Sequence, residues 1–193
     1  MEIAVGRIIR SSTTRIALGC AVLQKEAPAF GSLIKVQAQD GVEIYGLIHD
    51  LRMEDDPYVR QMAVAEGVRP EVIEDQRRNR QVPIEVGVLV VGYRQGGTVY
   101  HWLAPQPPLS LDVFYTCPPQ ELIEFTGAFD YFRLVLDNRD LPADELLAAN
   151  LRYAAQARGA GAQDFLVEAG RELARLLALD LARLDSILRR LRM

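Results

Sequence analysis

Ile34-Lys35-Val36-Gln37-Ala38-Gln39, then Asp40-Gly41, then Val42-Glu43-Ile44-Tyr45-Gly46-Leu47-Ile48 is the stretch on which the fold turns. Both arms alternate apolar and polar residues, the pattern of strands that bury one face and wet the other. Asp-Gly between such arms is a hairpin signal, because a type I′ turn needs positive φ at both central residues. The spacing predicts a β-hairpin whose register places Ile34, Val36, Ile44 and Ile48 inside.

Working outward, Glu2 to Ile9 reads as a strand with Ile3, Val5 and Ile8 as core candidates. Ser11-Ser12-Thr13-Thr14 is a polar turn. Arg15 to Leu23 is a second strand, with Ile16, Leu18, Cys20 and Val22 on one face at period two. Glycines at 6, 19, 31 and 46 fall where a small barrel would curl. Closure removes the edges that four short strands would otherwise leave.

On the far side of the hairpin the character changes. Glu54-Asp55-Asp56-Pro57 has the composition of a helix start, and Pro70 opens a second short helical pattern ending in Arg77-Arg78-Asn79-Arg80. Residues 54–81 therefore read as a helical insertion between strands. Ile84 to Arg94 returns as a strand, with Val86, Val88, Val90 and Gly92 on one face and Leu89, Val91 and Tyr93 on the other. Both faces are largely apolar, as in a strand buried on two sides. Gln95-Gly96-Gly97 turns it into Thr98 to Leu103, and Leu109 to Tyr115 alternates as a last strand. After Pro118-Pro119 helical patterns take over: Pro119 to Phe125, an ambiguous Phe129 to Leu136, Leu141 to about Arg158, Gln163 to about Leu179, and a final helix capped by Asp180. The fold class is α+β: a small β-barrel domain over 1–116 with the insertion at 54–81, then a helical subdomain over 117–193.

Composition bounds the function. The chain has 193 residues, 49% hydrophobic and 25% charged, with net charge −4. Those fractions belong to a packed globular protein. The negative charge argues against nucleic acid held by bulk electrostatics, so no direct nucleic-acid binding is expected. The N-terminal residues lack the basic start and apolar core of a signal peptide, and no apolar run reaches the ~20 residues of a membrane helix. A soluble, cytoplasmic protein is expected. Cys20 and Cys117 lie far apart without a metal-binding spacing, which fits two reduced, unreactive thiols. Neither a metal nor a cofactor is expected.

Three places could carry chemistry. His49-Asp50 with Glu54-Asp55-Asp56 joins one imidazole to several carboxylates, the makings of an acid/base pair or a divalent-cation site. A strand end followed by an acidic helix cap accounts for the same residues. His101-Trp102 with Tyr93 and Tyr100 could stack on a base, although packing on a sheet face accounts for them too. The leucine stripe Leu177, Leu184, Leu188 and Leu191 belongs to a helical core or to a partner-docking face. His49, His101 and Trp102 are thus candidate ligand contacts, and no catalytic residue is assigned.

The run Gly6-Arg7-Ile8-Ile9-Arg10-Ser11-Ser12, the strand Arg15 to Val22, Gly31-Ser32-Leu33-Ile34-Lys35-Val36 and Tyr45-Gly46-Leu47-Ile48 together resemble the HAS barrel. That is the small barrel at the N-terminus of HerA-type DNA-translocating ATPases and of rotary ATP synthase subunits. The resemblance covers 1–51 and 84–115. In those proteins the barrels pack side by side as a collar on a ring. No G-x-x-x-x-G-K-[ST] occurs in this sequence, so a P-loop is missing and helices stand where the motor would be. The resemblance implies a non-enzymatic assembly or accessory protein whose partner is a separately encoded ring ATPase in DNA processing, or another copy of itself. The alternatives are a small hydrolase-type enzyme using His49 and its neighbouring acids, and a single-strand nucleic-acid-binding barrel.

Overall fold

In the computed structural model, residues 2–22, 29–53 and 82–191 are described, with single positions 64, 69, 71 and 74 between them. The expected helical insertion, its Glu54, Asp55 and Asp56 included, lies almost wholly outside the described residues. Among the described residues seven strands form one antiparallel sheet: β1 Ala4–Ser11, β2 Arg15–Val22, β3 Leu33–Gln37, β4 Glu43–Met53, β5 Val82–Gln95, β6 Thr98–Tyr100 and β7 Val113–Thr116. Their order is β2-β1-β7-β3-β4-β5-β6, and β2 also pairs with β5. That pairing closes six strands into a barrel, with β6 as a flap on the far end of β5. Five helices follow: α1 Pro119–Phe125, α2 Phe132–Leu136, α3 Ala143–Arg158, α4 Ala162–Leu176 and α5 Leu181–Arg190. The fold is the expected α+β barrel with a C-terminal helical part.

The central hairpin forms as read. Asp40 and Gly41 both take positive φ, 56° and 72°. Val42 N–H closes the turn on the Gln39 carbonyl at 3.2 Å. Ile34, Val36, Ile44 and Ile48 are fully or almost fully buried inside the barrel. The expectation that the other face would be wet is corrected for β4. Tyr45 and Leu47 are also buried, because the helices pack on the outside of this wall. Leu89 and Val91 of β5 face the same helical core, while Val86, Val88 and Val90 face the barrel interior. One double-sided wall therefore serves two cores.

Gly46 shows why the wall needs a residue without a side chain. A Cβ there would lie 2.3 Å from Val88 Cγ1 and 3.2 Å from the Leu89 carbonyl oxygen.

Three other expectations are corrected. Ile3 precedes β1 and is exposed, whereas Val5 and Ile8 are core. Leu109 and Leu111 are exposed and lie before β7. There the Asp112 carboxylate accepts from Leu109 N–H at 3.0 Å, and Leu111 sits at φ 73°. A side-chain-closed turn has captured an alternation that looked strand-like. Finally, the β4–β5 register slips between Tyr45 and Gly46, where Val91 is the extra residue on β5. Past this bulge the side-chain parity reverses. Gly92 therefore lies under Phe125 on the helical side, and Tyr93 turns into the barrel.

Candidate functional site

The outside of the barrel has two unlike halves. On β3, β4 and β5 it is covered. Tyr45 and Phe125 lie 4.9 Å apart between ring centroids, and Phe125 reaches Tyr131 at 5.3 Å. A charged cluster seals the rim of this contact. Lys35 Nζ lies 2.9 Å from Glu2, 2.9 Å from Glu121 and 3.3 Å from Glu43. Tyr45 O–H donates to Glu121 at 2.6 Å and accepts from Arg94 Nε at 3.0 Å. Arg94 also pairs with Glu124 at 2.7 Å. Partial burial acts against the Lys35 charge, but the hydrogen bonds it donates to Glu2 and Glu121 outweigh it and hold the ammonium above its usual range. Burial, together with the Glu121 carboxylate, pushes the Tyr45 phenol up as well. The cluster ties the N-terminal residues, three strands and α1 together, which is a structural task.

On β1, β2 and β7 the outside is open among the described residues. Arg7 is flanked by Gly19 on β2 and Val113 on β7, and Ala4 is paired with Tyr115. Ile9 is the bulged residue between Ile8 and Arg10, so it points outward and lies over Gly19 at 3.0 Å from an ideal Cβ. Ile3, Ile9, Leu111 and Tyr115 are exposed here. Arg7 donates to the Leu111 carbonyl at 3.1 Å and has no carboxylate partner among the described residues. Exposed apolar side chains on the same face as a guanidinium without a carboxylate partner can take up a protein surface that offers an acid among apolar groups. Sequence reasoning missed this face. Its signal was the doublet Ile8-Ile9, which breaks period two and marks the bulge.

The residues singled out from sequence are dispersed. His49 is the extra residue where β4 slips against β5 between Ile48 and Asp50, and its ring lies over Gly87. Partial burial lowers its basicity, with Arg15 and Arg52 adding to the effect and Asp50 opposing it. His101 is half-buried, donates Nε2–H to the Phe125 carbonyl at 2.9 Å and lies edge-on to Phe125 and Tyr131. Burial lowers its basicity too. Trp102 is 56% exposed and packs tilted against Tyr100, with ring centroids 4.8 Å apart, and Tyr100 packs tilted against Tyr93 at 5.0 Å. Its indole N–H donates to the Tyr93 hydroxyl at 3.3 Å.

Among the leucines, Leu177 and Leu191 are buried in the helical core, Leu184 is half-buried against it, and Leu188 is 37% exposed. Burial raises both cysteine thiols, Cys117 further than Cys20. Neither is poised as a thiolate nucleophile. No helix among the described residues is long and apolar enough to cross a membrane. Compared with protein-family models and with curated proteins, the chain matches none.

Proposed function

We propose that this chain is a non-enzymatic docking protein, a HAS-like barrel without the motor, whose partner is a separately encoded HerA-type ring ATPase. The observation that carries the reading is the half of the barrel on β1, β2 and β7, where Ile3, Ile9, Leu111 and Tyr115 are exposed and Arg7 has no carboxylate partner among the described residues. The other half is occupied by the chain's own helices. The partner therefore meets β1, β2 and β7 with a carboxylate set among apolar side chains. The test is binding of the full chain to the purified ring ATPase, followed by interferometry. Arg7→Glu and Tyr115→Ser are expected to weaken it at least about tenfold with unchanged melting temperature. Leu188→Ser on the distant helical side is expected to bind as the parent does. Failure to bind, or equal binding by all variants, overturns the reading.

A second reading has one observation in its favour. The ladder Tyr93–Tyr100–Trp102 ends in an exposed indole, which could stack on an unpaired base. Quenching of the lone tryptophan by short oligonucleotides, weakened by salt, supports it. Emission that does not respond removes it.

A further inference from the structure

Where β1, β2, β5 and β4 lie side by side, one row of the barrel's outer surface is hollow. Arg10 pairs with Ala17, Ala17 with Gly87, and Gly87 with Asp50. Ala17 and Gly87 supply almost no side chain, so the row has a floor and no filling. The hollow is a cavity of about 290 Å³. Three guanidinium side chains, Arg10, Arg15 and Arg52, line it, and the bulge turns the His49 imidazole in over Gly87. A Cβ at position 87 would stand 2.8 Å from His49 Cε1. The glycine and the bulge therefore belong together, and a bulge is a common device for re-aiming one side chain.

Among the described residues two carboxylates line the cavity. Glu85 accepts from Arg10 at 3.0 Å, and Asp50 accepts from Arg52 Nε at 2.7 Å. Arg15 Nη2 donates to Asn138 at 2.7 Å and to Asp140, outside the cavity lining, at 3.2 Å. Each of these contacts uses part of a five-donor fork, so N–H groups of all three arginines remain for a ligand. The Ser11 and Ser12 hydroxyls also line the hollow but donate to the Pro108 and Arg15 carbonyls. Each of the three arginines is paired with one carboxylate, Arg10 with Glu85, Arg52 with Asp50 and Arg15 with Asp140, so what the hollow offers an anion is converging spare N–H donors and not an excess of positive charge.

We propose that this hollow binds a small phosphate-bearing ligand, held by the guanidinium forks of Arg10, Arg15 and Arg52 with His49 as a further donor. A tetrahedral dianion can take bidentate contacts from more than one fork. The volume suits a phosphate group with a small attached body. The site stands apart from the docking reading and survives its failure.

His49 is also the reporter. Its imidazole faces Arg15 and Arg52, which oppose its protonation, and Asp50, which favours it, with Arg10 and Glu85 across the hollow. A bound dianion would favour the imidazolium and raise the His49 pKa. The chain has two histidines, and His101 lies under α1 as the internal control. The experiment titrates the full chain with inorganic phosphate at constant ionic strength and follows both imidazoles by NMR. The expected result is a saturable shift and raised pKa at His49 alone. Arg52→Gln should weaken binding at least about tenfold, and Glu85→Gln, which frees Arg10, should tighten it. Both side chains lie at the surface, and the dispersion of the spectrum verifies the fold of each variant. Equal or non-saturating shifts at His49 and His101, variants that bind like the parent, or acetate binding as well as phosphate would each overturn the proposal.

Discussion

At the scale of single residues, Gly46 and His101 give the sharpest expectations. Gly46→Ala forces a methyl group into Val88 in a wall already filled from both sides, so it should cost about 1–3 kcal/mol in urea unfolding with an unchanged m-value. His101 is held below its ordinary pKa by burial. Its contribution is present above the unfolded value of about 6.5 and is lost as pH falls through the lower folded value. His101→Gln should therefore lose less stability than the parent between about pH 7.5 and pH 5, read from paired urea curves. The sequence reveals residues to different depths. Ile34, Val36, Ile44 and Ile48 were legible because a two-residue period and a turn fix their parity. Ile3 was not, because an apolar residue just outside a strand has no register to obey. Tyr93 was not, because one bulged residue upstream inverts the face of everything after it.

At the scale of elements, α1 is held to the barrel by Lys35, Tyr45 and Arg94 through Glu121 and Glu124. Tyr45→Phe removes one hydroxyl that both donates and accepts, and should cost about 1–2 kcal/mol, with faster amide exchange confined to α1 and its contacts. Both Lys35 and Tyr45 are held above their ordinary pKa values. The stability they contribute is complete below about pH 10 and is lost above it, so Tyr45→Phe should flatten the alkaline limb of a stability–pH curve. Asp180 caps α5 by accepting from Arg183 N–H at 3.0 Å. Asp180→Ala should cost about 1 kcal/mol in thermal unfolding. That cap was readable from an Asp before an apolar-periodic run. The clamp on α1 was not, since its partners come from positions 2, 35, 43, 45, 94, 121 and 124, and nothing local joins them.

At the scale of the whole molecule, the two cores share β4 and β5. Inside lie Ile44, Ile48, Val86 and Val88; outside lie Tyr45, Leu47, Leu89 and Val91. The sequence marked β5 as apolar on both faces, which is the trace of this arrangement, but periodicity does not say what covers the second face. Residues 1–116 alone would expose those four outer side chains. That fragment is expected to aggregate, and the intact chain to unfold in one transition by circular dichroism and tryptophan fluorescence alike. Closure has a further consequence. Pairing of β2 with β5 leaves β6, three residues long, as the one strand outside the closed barrel among the described residues. A visitor to the open half finds hardly any backbone to extend. Recognition there has to be spelled in side chains alone, so its vocabulary is open to rewriting by point substitution, one letter at a time, while the grammar of the sheet beneath stays intact.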